Sequence, residues 1–218
     1  MNYFITATDT DGGKTFLTAL LTRALRTLGF NTIALKPIAS GSWNDSQILQ
    51  EASEHQLRLE EITPVFYKTP LAPIHAAPLE GTFFSLDQVL PALAQLKKKH
   101  ASMIVEGVGG WLVPLSSTES LPDLARAIGF PILLVVRNRL GAINHALLTL
   151  DSIRHSGCTC AGIILNHHPD DKDDIAAKGN RLFFKELTQR RGLSIFLEIE
   201  SDQKELSPTQ LQYFSLKA

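Results

Sequence analysis

The residues best placed for chemistry stand near the start of the chain. Residues 6–15 read Thr-Ala-Thr-Asp-Thr-Asp-Gly-Gly-Lys-Thr, between a short apolar run and a segment with helical periodicity. Backbone N–H groups of such a loop point at phosphate oxygens, Lys14 adds a positive charge, and the Thr15 hydroxyl can bind Mg²⁺. The pattern predicts a phosphate-binding loop; the alternative is a chance Gly-Lys-Thr in a strand–helix turn.

The upstream half of this loop is irregular. In the usual pattern G-x-x-x-x-G-K-[ST], the first glycine would fall at position 8, which is Thr8 here. The Gly-Lys-Thr half therefore predicts phosphate binding, while the Thr-Asp-Thr half requires a separate explanation.

Further polar residues follow predicted strands. Lys36 follows strand 31–35, Glu106 ends strand 102–105, and Asn166 ends strand 161–165. In a parallel sheet, ligands bind outside the carboxyl ends of the strands, so these side chains are expected to share one site with the loop. Lys36 has an alternative interpretation as a surface lysine at a strand end.

The chemistry of this expected site is ATP-Mg²⁺ phosphoryl transfer. Thr15, Asp45 and Glu106 can supply oxygen ligands to Mg²⁺, while Lys14 and Lys36 offset phosphate charge. Asp45 could instead simply cap the helix that follows it.

Strands and helices alternate along the chain and predict an α/β fold, a mostly parallel sheet flanked by helices on both faces. The predicted strands are residues 3–5, 31–35, 102–105, 131–136, 161–165 and 194–199. The predicted helices are residues 14–28, 46–55, 85–99, 121–129, 141–156 and 173–191, with a short one after Pro208. Residues 38–44 and 111–117 are predicted to be loops. The proline-rich residues 63–78 are predicted to be an irregular excursion with at most short strand pieces.

Length and charge limit the possible functions. A chain of 218 residues suits a single domain, 1–218, and 21 basic against 22 acidic residues do not favour a nucleic-acid binder. The start has no signal-peptide pattern, and the longest apolar run is too short to span a membrane. We therefore expect a cytoplasmic protein with no membrane or nucleic-acid partner.

Four motifs in order resemble those of the P-loop family of ATP-dependent dethiobiotin synthases. They are Thr8-Asp9-Thr10-x-x-Gly13-Lys14-Thr15, Lys36-Pro37-Ile38-Ala39-Ser40-Gly41, Glu106-Gly107-x-Gly109-Gly110 and Leu140-Gly141-x-Ile143-Asn144-His145. The family's lengthened loop, Thr-Asp-Thr-x-x-Gly-Lys-Thr, explains the irregular first half.

The resemblance implies a reaction. 7,8-Diaminononanoate, CO₂ and ATP would give dethiobiotin, ADP and phosphate, with Mg²⁺ as cofactor. A substrate amine becomes a carbamate, ATP phosphorylates it to a carbamic-phosphoric anhydride, and the second amine closes the ring. The family also implies a homodimer.

The resemblance also implies residue roles, with Lys14 and Lys36 as catalytic residues and Thr15, Asp45 and Glu106 as metal ligands. The implied ATP-binding residues are Asp11, Gly12, Gly13, Lys14, Thr15, Asp45, Glu106, Gly107, Val108, Gly109, Asn166 and His167. The implied substrate-binding residues are Thr10, Ser40, Gly110 and Asn144, the last reaching the partner's substrate.

The chain departs from the family pattern at four places. Ala7 stands where glycine is usual, and Gly12 where valine is usual, which predicts a loop ordered differently before ATP binds. Val108 replaces a usual alanine. Residues 198–201 lack the proline that usually flanks adenine, which leaves the nucleotide preference open.

Other functions compete with a synthase. A partitioning or metallochaperone ATPase would act as a binding switch, but its loop carries an extra lysine that residues 6–10 lack. The synthetase domain of a cobyrinate-type amidotransferase would need a glutaminase partner. A structural domain with an inactive loop would not need Lys14, Thr15, Lys36 and Glu106 together.

Overall fold

A computed structural model gives the fold, and it describes residues 1–171, 174–200 and 202–214. The strands are β1 Asn2–Ala7, β2 Thr32–Leu35, β3 Ile38–Ser40, β4 Val65–Tyr67, β5 Ser102–Glu106, β6 Ile132–Arg137, β7 Cys160–His167 and β8 Ile195–Glu200. The α-helices are α1 Lys14–Thr27, α2 Asn44–Ala52, α3 Leu59–Ile62, α4 Pro73–Leu79, α5 Leu90–Lys99, α6 Leu121–Ile128, α7 Ala142–His155, α8 Ile175–Arg190 and α9 Pro208–Leu211.

The main sheet has six parallel strands in the order β2-β5-β1-β6-β7-β8. The chain fills the β5 side of β1 first and then crosses to the β6 side. The carboxyl end of β1 is therefore a switch point, where connections leave in opposite directions and open a crevice. Residues 8–13, which link β1 to α1, lie at this point.

Helices cover both faces of the sheet, as the sequence predicts. Side chains alternate across the strands, so Phe4 of β1 packs in the cluster that contains Leu121 of α6, whereas Ile5 packs with Leu20 of α1. A third cluster joins β6 and β7 to α7 and α8 through residues such as Phe184. This burial fixes the strand register, and the register in turn sets where each strand ends along the edge of the sheet.

The predicted strands and the long helices are present with boundaries shifted by a few residues. Helix α2 starts at Asn44 instead of residue 46, because its first turn extends over Asp45. Helix α8 begins at Ile175 after an N-cap at Asp174 whose side chain accepts from the backbone N–H of Ala176. Its predicted first residue, Asp173, lies outside the described residues.

Two predictions between β2 and α5 are wrong. Residues 38–44 are not all loop, because β3 pairs in parallel with β4 and forms a second, two-stranded sheet. Residues 63–78 contain a short strand, β4, as allowed, but they are not irregular throughout, because helix α4 begins at Pro73. Proline is favoured in the first turn of a helix, so Pro73, which contributed to the prediction of irregular structure, instead marks a helix start.

The described helices are also too short or too polar to cross a membrane.

Candidate active site

The loop after β1 is anchored from two directions. The backbone N–H of Thr8 donates to the carbonyl of Val135 on β6 at 3.1 Å. The side-chain amide of Asn166, on β7, donates to the carbonyl of Gly12 at 2.9 Å. Gly13, with φ +95°, then turns the chain into α1, and a Cβ there would lie 2.2 Å from the Asn166 amide nitrogen. Only glycine fits this position, because both the backbone angle and the space exclude a side chain.

Lys14 opens α1 and is buried, with 5% of its surface exposed. Its ammonium donates to the carbonyls of Thr10 at 2.9 Å and Asp9 at 3.3 Å. Burial lowers the pKa of Lys14, the Lys36 charge lowers it further, and the negative charge of Glu106 opposes both effects. A phosphate group would supply the anion that this lysine lacks.

Lys36, at the end of β2, lies between two carboxylates. Its ammonium contacts Asp45 in the first turn of α2 and lies 2.8 Å from Glu106 Oε1. Burial favours the neutral form of Lys36, but Glu106 and Asp45 together outweigh burial and raise its pKa. Lys36 is therefore a buried, charged residue, and its interpretation as a surface lysine is wrong.

Glu106 links the two walls of the site. The Thr15 hydroxyl of α1 donates to Glu106 Oε1 at 2.8 Å, the same oxygen that Lys36 contacts. The other oxygen, Oε2, is buried without a hydrogen-bond partner among the described residues. Such an orphaned carboxylate oxygen is costly to bury and is free to accept a cation or a donor.

These residues fit a magnesium ion. Mg²⁺ prefers oxygen ligands, usually one or two carboxylates together with phosphate oxygens and water. Thr15, Asp45 and Glu106 supply a hydroxyl and two carboxylates around the Lys36 ammonium. The helix-cap interpretation of Asp45 is wrong, since α2 has no side-chain cap and Asp45 turns to Lys36. Among the described residues, no group of three or more His, Cys, Asp or Glu side chains forms a self-sufficient metal site.

A cavity of about 610 Å³ brings most of the predicted residues together. The predicted residues that line it on the loop side are Thr10, Asp11, Gly13, Lys14 and Thr15. Those on the opposite and far walls are Lys36, Ser40, Asp45, Glu106, Val108, Gly109 and Asn166. The size is in the usual range for a small-molecule site.

Five predicted residues do not line this cavity. Gly107 packs against Leu121, which lies 2.9 Å from where its Cβ would stand. Gly12, within the loop, lines a separate cavity of about 170 Å³. Gly110 lines an adjoining cavity of about 420 Å³ that shares Thr10. Asn144 is exposed on the first turn of α7.

The fifth, His167, faces away from the cavity lining. Its ring contacts the Asn138 side-chain amide and Glu198 at 3.2 Å each. Its neighbours His168 and Pro169 line the cavity instead, beside Asn166, whose amide oxygen is buried without a described partner. The roles proposed for these residues remain predictions.

Sequence reasoning missed five lining residues: Phe16, Ala39, Ser42, His168 and Pro169. Ala39 and Ser42 flank Ser40 on β3 and the turn after it, so recognising β3 as a strand would have found them. His168 and Pro169 follow the predicted strand-end residue Asn166 directly. Phe16 carries no chemical signal and is identified only by its place on α1.

Gly12 and Ala7 share one space under the loop. A Cβ on Gly12 would lie 2.8 Å from the Cβ of Ala7, which is closer than such atoms approach. The two departures from the family pattern are thus a matched pair, because the methyl group of Ala7 takes the volume that a larger residue at position 12 would need.

Comparisons with known proteins identify relatives of this chain. A family model described as an AAA domain matches residues 1–208. The chain is 41% identical over 187 residues to the ATP-dependent dethiobiotin synthetase of Akkermansia muciniphila, covering 86% of this chain and 87% of that one. It is 34% identical over 232 residues to the enzyme of the same name from Thermodesulfovibrio yellowstonii, covering 99% and 97%.

Solved structures share the fold at low identity. The cell division protein FtsY of Thermotoga maritima matches with a TM-score of 0.58 and 17% identity, over 98% of this chain and 66% of that one. A ParA family ATPase of Chlorobium tepidum matches with a TM-score of 0.52 and 14% identity, over 93% and 85%. These likenesses confirm a P-loop NTPase-like fold.

Proposed function

The chain belongs to the ATP-dependent dethiobiotin synthetase family and is an ATP-dependent ligase of biotin biosynthesis, and from this premise we propose its substrates, cofactor and mechanism. It carboxylates 7,8-diaminononanoate with CO₂ and closes the ureido ring, using ATP and Mg²⁺. The observation that carries the proposal is one cavity with two buried lysines on facing walls, Lys14 for phosphate and Lys36 beside two carboxylates.

The first bond joins CO₂ to a substrate nitrogen. The amine lone pair attacks carbon, the nitrogen loses a proton, and a carbamate anion results. Lys36 is suited to hold this anion, because it is the cation on the wall that also carries Ser40. The Ser40 hydroxyl and Thr10 supply polar contacts to the substrate.

The second step is phosphoryl transfer. A carbamate oxygen attacks the γ-phosphorus, the bond to the β-phosphate oxygen breaks, and ADP leaves. Both reactants are anions, so their approach requires positive charge at fixed positions. Lys14 and the N–H groups at the start of α1 supply it for the phosphates. When bound between Thr15, Asp45 and Glu106, Mg²⁺ would neutralise further phosphate charge and orient its oxygens.

Ring closure completes the reaction. The second amine attacks the carbonyl carbon of the carbamic-phosphoric anhydride, the carbon–oxygen bond breaks, and inorganic phosphate leaves with the bonding electrons. The ureido ring forms as this nitrogen loses a proton. Lys14 and Lys36 then face a second anionic leaving group in the same cavity.

The adenine is expected at the far end of the cavity. The buried amide oxygen of Asn166 lacks a described partner and can accept from the exocyclic amine of adenine. His168 and Pro169 form the adjoining wall, so they would flank the base in place of the proline that residues 198–201 lack. Nucleotide competition assays would measure how strictly the site prefers ATP to other nucleotides.

A homodimer is also part of the proposal. The first turn of α7 carries the exposed Asn144. Three exposed leucines lie on α7, just before it and in the segment after β5: Leu148, Leu140 and Leu112. Leu112 and Leu148 line the adjoining cavity together with Gly110 and Thr10. A second copy seated here would cover these leucines and reach the substrate. Sedimentation equilibrium would detect the dimer.

The use of ATP and a biosynthetic diamine suits a cytoplasmic location.

The function is tested by phosphate release. Purified protein with ATP and Mg²⁺ should release phosphate only when diaminononanoate and bicarbonate are both present. Equal hydrolysis with and without the diamine would contradict a synthase. Stimulation by DNA instead of the diamine would favour the partitioning-type ATPase, for which the comparisons support only the fold.

A further inference from the structure

Lys36 lies where two carboxylates come together, a position that favours a cation. Its ammonium contacts both Asp45 and Glu106, the two carboxylates assigned to the metal. Glu106 is 1% exposed, so it has almost no water to solvate its charge. Removing one partner of a buried ion pair is strongly destabilising, because it leaves the other charge uncompensated.

The two lysines of the cavity differ in the groups that contact their ammonium. Lys14 donates to two backbone carbonyls, which solvate its charge without neutralising it. Lys36 has no backbone carbonyl partner among its hydrogen bonds to the described residues, and its two contacts are both carboxylates. The charge of Lys36 is therefore balanced by groups that a divalent cation would also use.

We propose that the Lys36 ammonium and a divalent cation are alternative partners of the Asp45–Glu106 pair. While Lys36 holds the two carboxylates, the cluster is folded and carries one net negative charge instead of two, so it binds Mg²⁺ weakly. Binding of the metal with nucleotide displaces the ammonium and leaves it free to face the anionic reactants. Lys36 would thus be available to the reaction only after the metal has bound, which would couple loading of Mg·ATP to catalysis.

The geometry gives room for this exchange. The Asp45 side chain is 43% exposed, so it can rotate toward an ion at the cavity surface. Oε2 of Glu106 is without a described partner, so this carboxylate can accept a metal while Oε1 keeps the Thr15 hydroxyl. Exchange therefore requires small movements of side chains and no movement of the sheet.

Divalent-metal binding without nucleotide tests the proposal. Mn²⁺ affinity would be measured by electron paramagnetic resonance on protein stripped with EDTA, for wild type, Lys36→Met and Lys14→Met. Because Lys36→Met removes the positive charge that competes with the metal for the two carboxylates, it should bind Mn²⁺ on the order of tenfold or more tightly than wild type. Lys14→Met removes a lysine without carboxylate contacts and should gain much less. Equal affinity in wild type and Lys36→Met would overturn the proposal.

Thermal unfolding supplies a second measurement. Without metal, Lys36→Met should unfold at a lower temperature than wild type, and MgCl₂ alone should raise its Tm more than it raises that of wild type. If Lys36→Met fails to fold, Mg²⁺ or the second substitution Glu106→Gln should restore folding, since each removes the excess negative charge. Failure of both to restore it would also overturn the proposal.

The inference rests on the proposed function for the assignment of the metal as Mg²⁺. Its test uses neither ATP nor diamine, so the two can fail separately. Diamine-dependent phosphate release with no effect of Lys36→Met on Mn²⁺ affinity would leave the synthase intact and remove the exchange.

Discussion

The phosphate loop (residues 6–15) and the β3–β4 wall (residues 36–67) face each other across the cavity and hold their lysines differently. The loop surrounds Lys14 with carbonyl oxygens, and burial lowers its pKa. The wall pairs Lys36 with carboxylates, which raise its pKa despite burial. The loop therefore presents a lysine without a direct carboxylate contact, which can pair with phosphate. The wall presents a lysine whose two carboxylate partners must first be displaced.

The two regions also differ in what holds them. The loop is fixed by the central strand of the main sheet and by the Asn166 amide. The wall rests on a separate two-stranded sheet, and Trp43, at the start of α2, stacks on Phe66 of β4 with ring centroids 4.1 Å apart. We expect substitutions in the loop to weaken nucleotide binding or destabilise the fold, and those in the wall to alter metal use and turnover.

The largest effect is expected at Lys36. Lys36→Ala should lower kcat by about 10²–10³-fold, because removing one electrostatic stabiliser typically costs about 3 kcal/mol. ATP affinity, measured without diamine, should change far less. Turnover close to wild type would show that the wall does not supply a catalytic charge.

Gly13 tests the rigidity of the loop. Gly13→Ala should weaken ATP binding about 100-fold, since the new Cβ strains the backbone by about 1–2 kcal/mol and displaces the Asn166 amide. Gly29→Ala is the matched control, with φ +88° and nothing within 4 Å of its Cβ. Isothermal titration calorimetry would distinguish them, and similar ATP affinities for the two variants would show that the Asn166 contact is unimportant.

The matched pair under the loop can be broken and restored. Gly12→Val should destabilise the fold by about 1–3 kcal/mol through overpacking against Ala7. Adding Ala7→Gly should recover much of this loss, giving a coupling energy of about 1 kcal/mol or more in urea unfolding. Purely additive effects would mean that positions 7 and 12 do not share space.

Trp43 tests the support of the wall. Trp43→Ala removes a stacked aromatic contact worth about 0.5–1.5 kcal/mol beyond its buried area, and it loosens the turn that carries Asp45. We expect the Mg²⁺ concentration for half-maximal activity to rise about three- to tenfold, with the KM for ATP less affected. Trp43→Phe should restore the wild-type value. A variant with unchanged Mg²⁺ dependence would show that α2 is held without the stack.

The smallest effect is expected for the free energy of unfolding, which the buried charge of Lys14 lowers. Because its folded pKa is lowered, wild type binds fewer protons than the unfolded chain between the two pKa values, so its stability rises with pH there. Lys14→Met should therefore be more stable than wild type near pH 7, and this advantage should shrink as pH rises toward about 10. Urea unfolding at both pH values would measure it, and a constant difference would contradict the burial cost.

The sequence was informative where chemistry and regular structure coincide. The Gly-Lys-Thr motif and the apolar strand before it predicted the loop, and the strand-end rule placed Lys36 and Glu106 in one site. Strand β3 and its pairing with β4 were missed because these strands have three residues each, too few for a periodic pattern. The contact of Lys36 with Asp45, and that of Gly12 with Ala7, depend on packing that no local pattern encodes.

Isotope labelling tests most directly the proposed ATP-dependent joining of CO₂ to 7,8-diaminononanoate. Protein incubated with ¹³C-bicarbonate, diamine, ATP and Mg²⁺ should form dethiobiotin that carries the heavy carbon, with phosphate released in equal amount. Lys36→Ala should form it far more slowly. Phosphate release without labelled dethiobiotin would contradict the account.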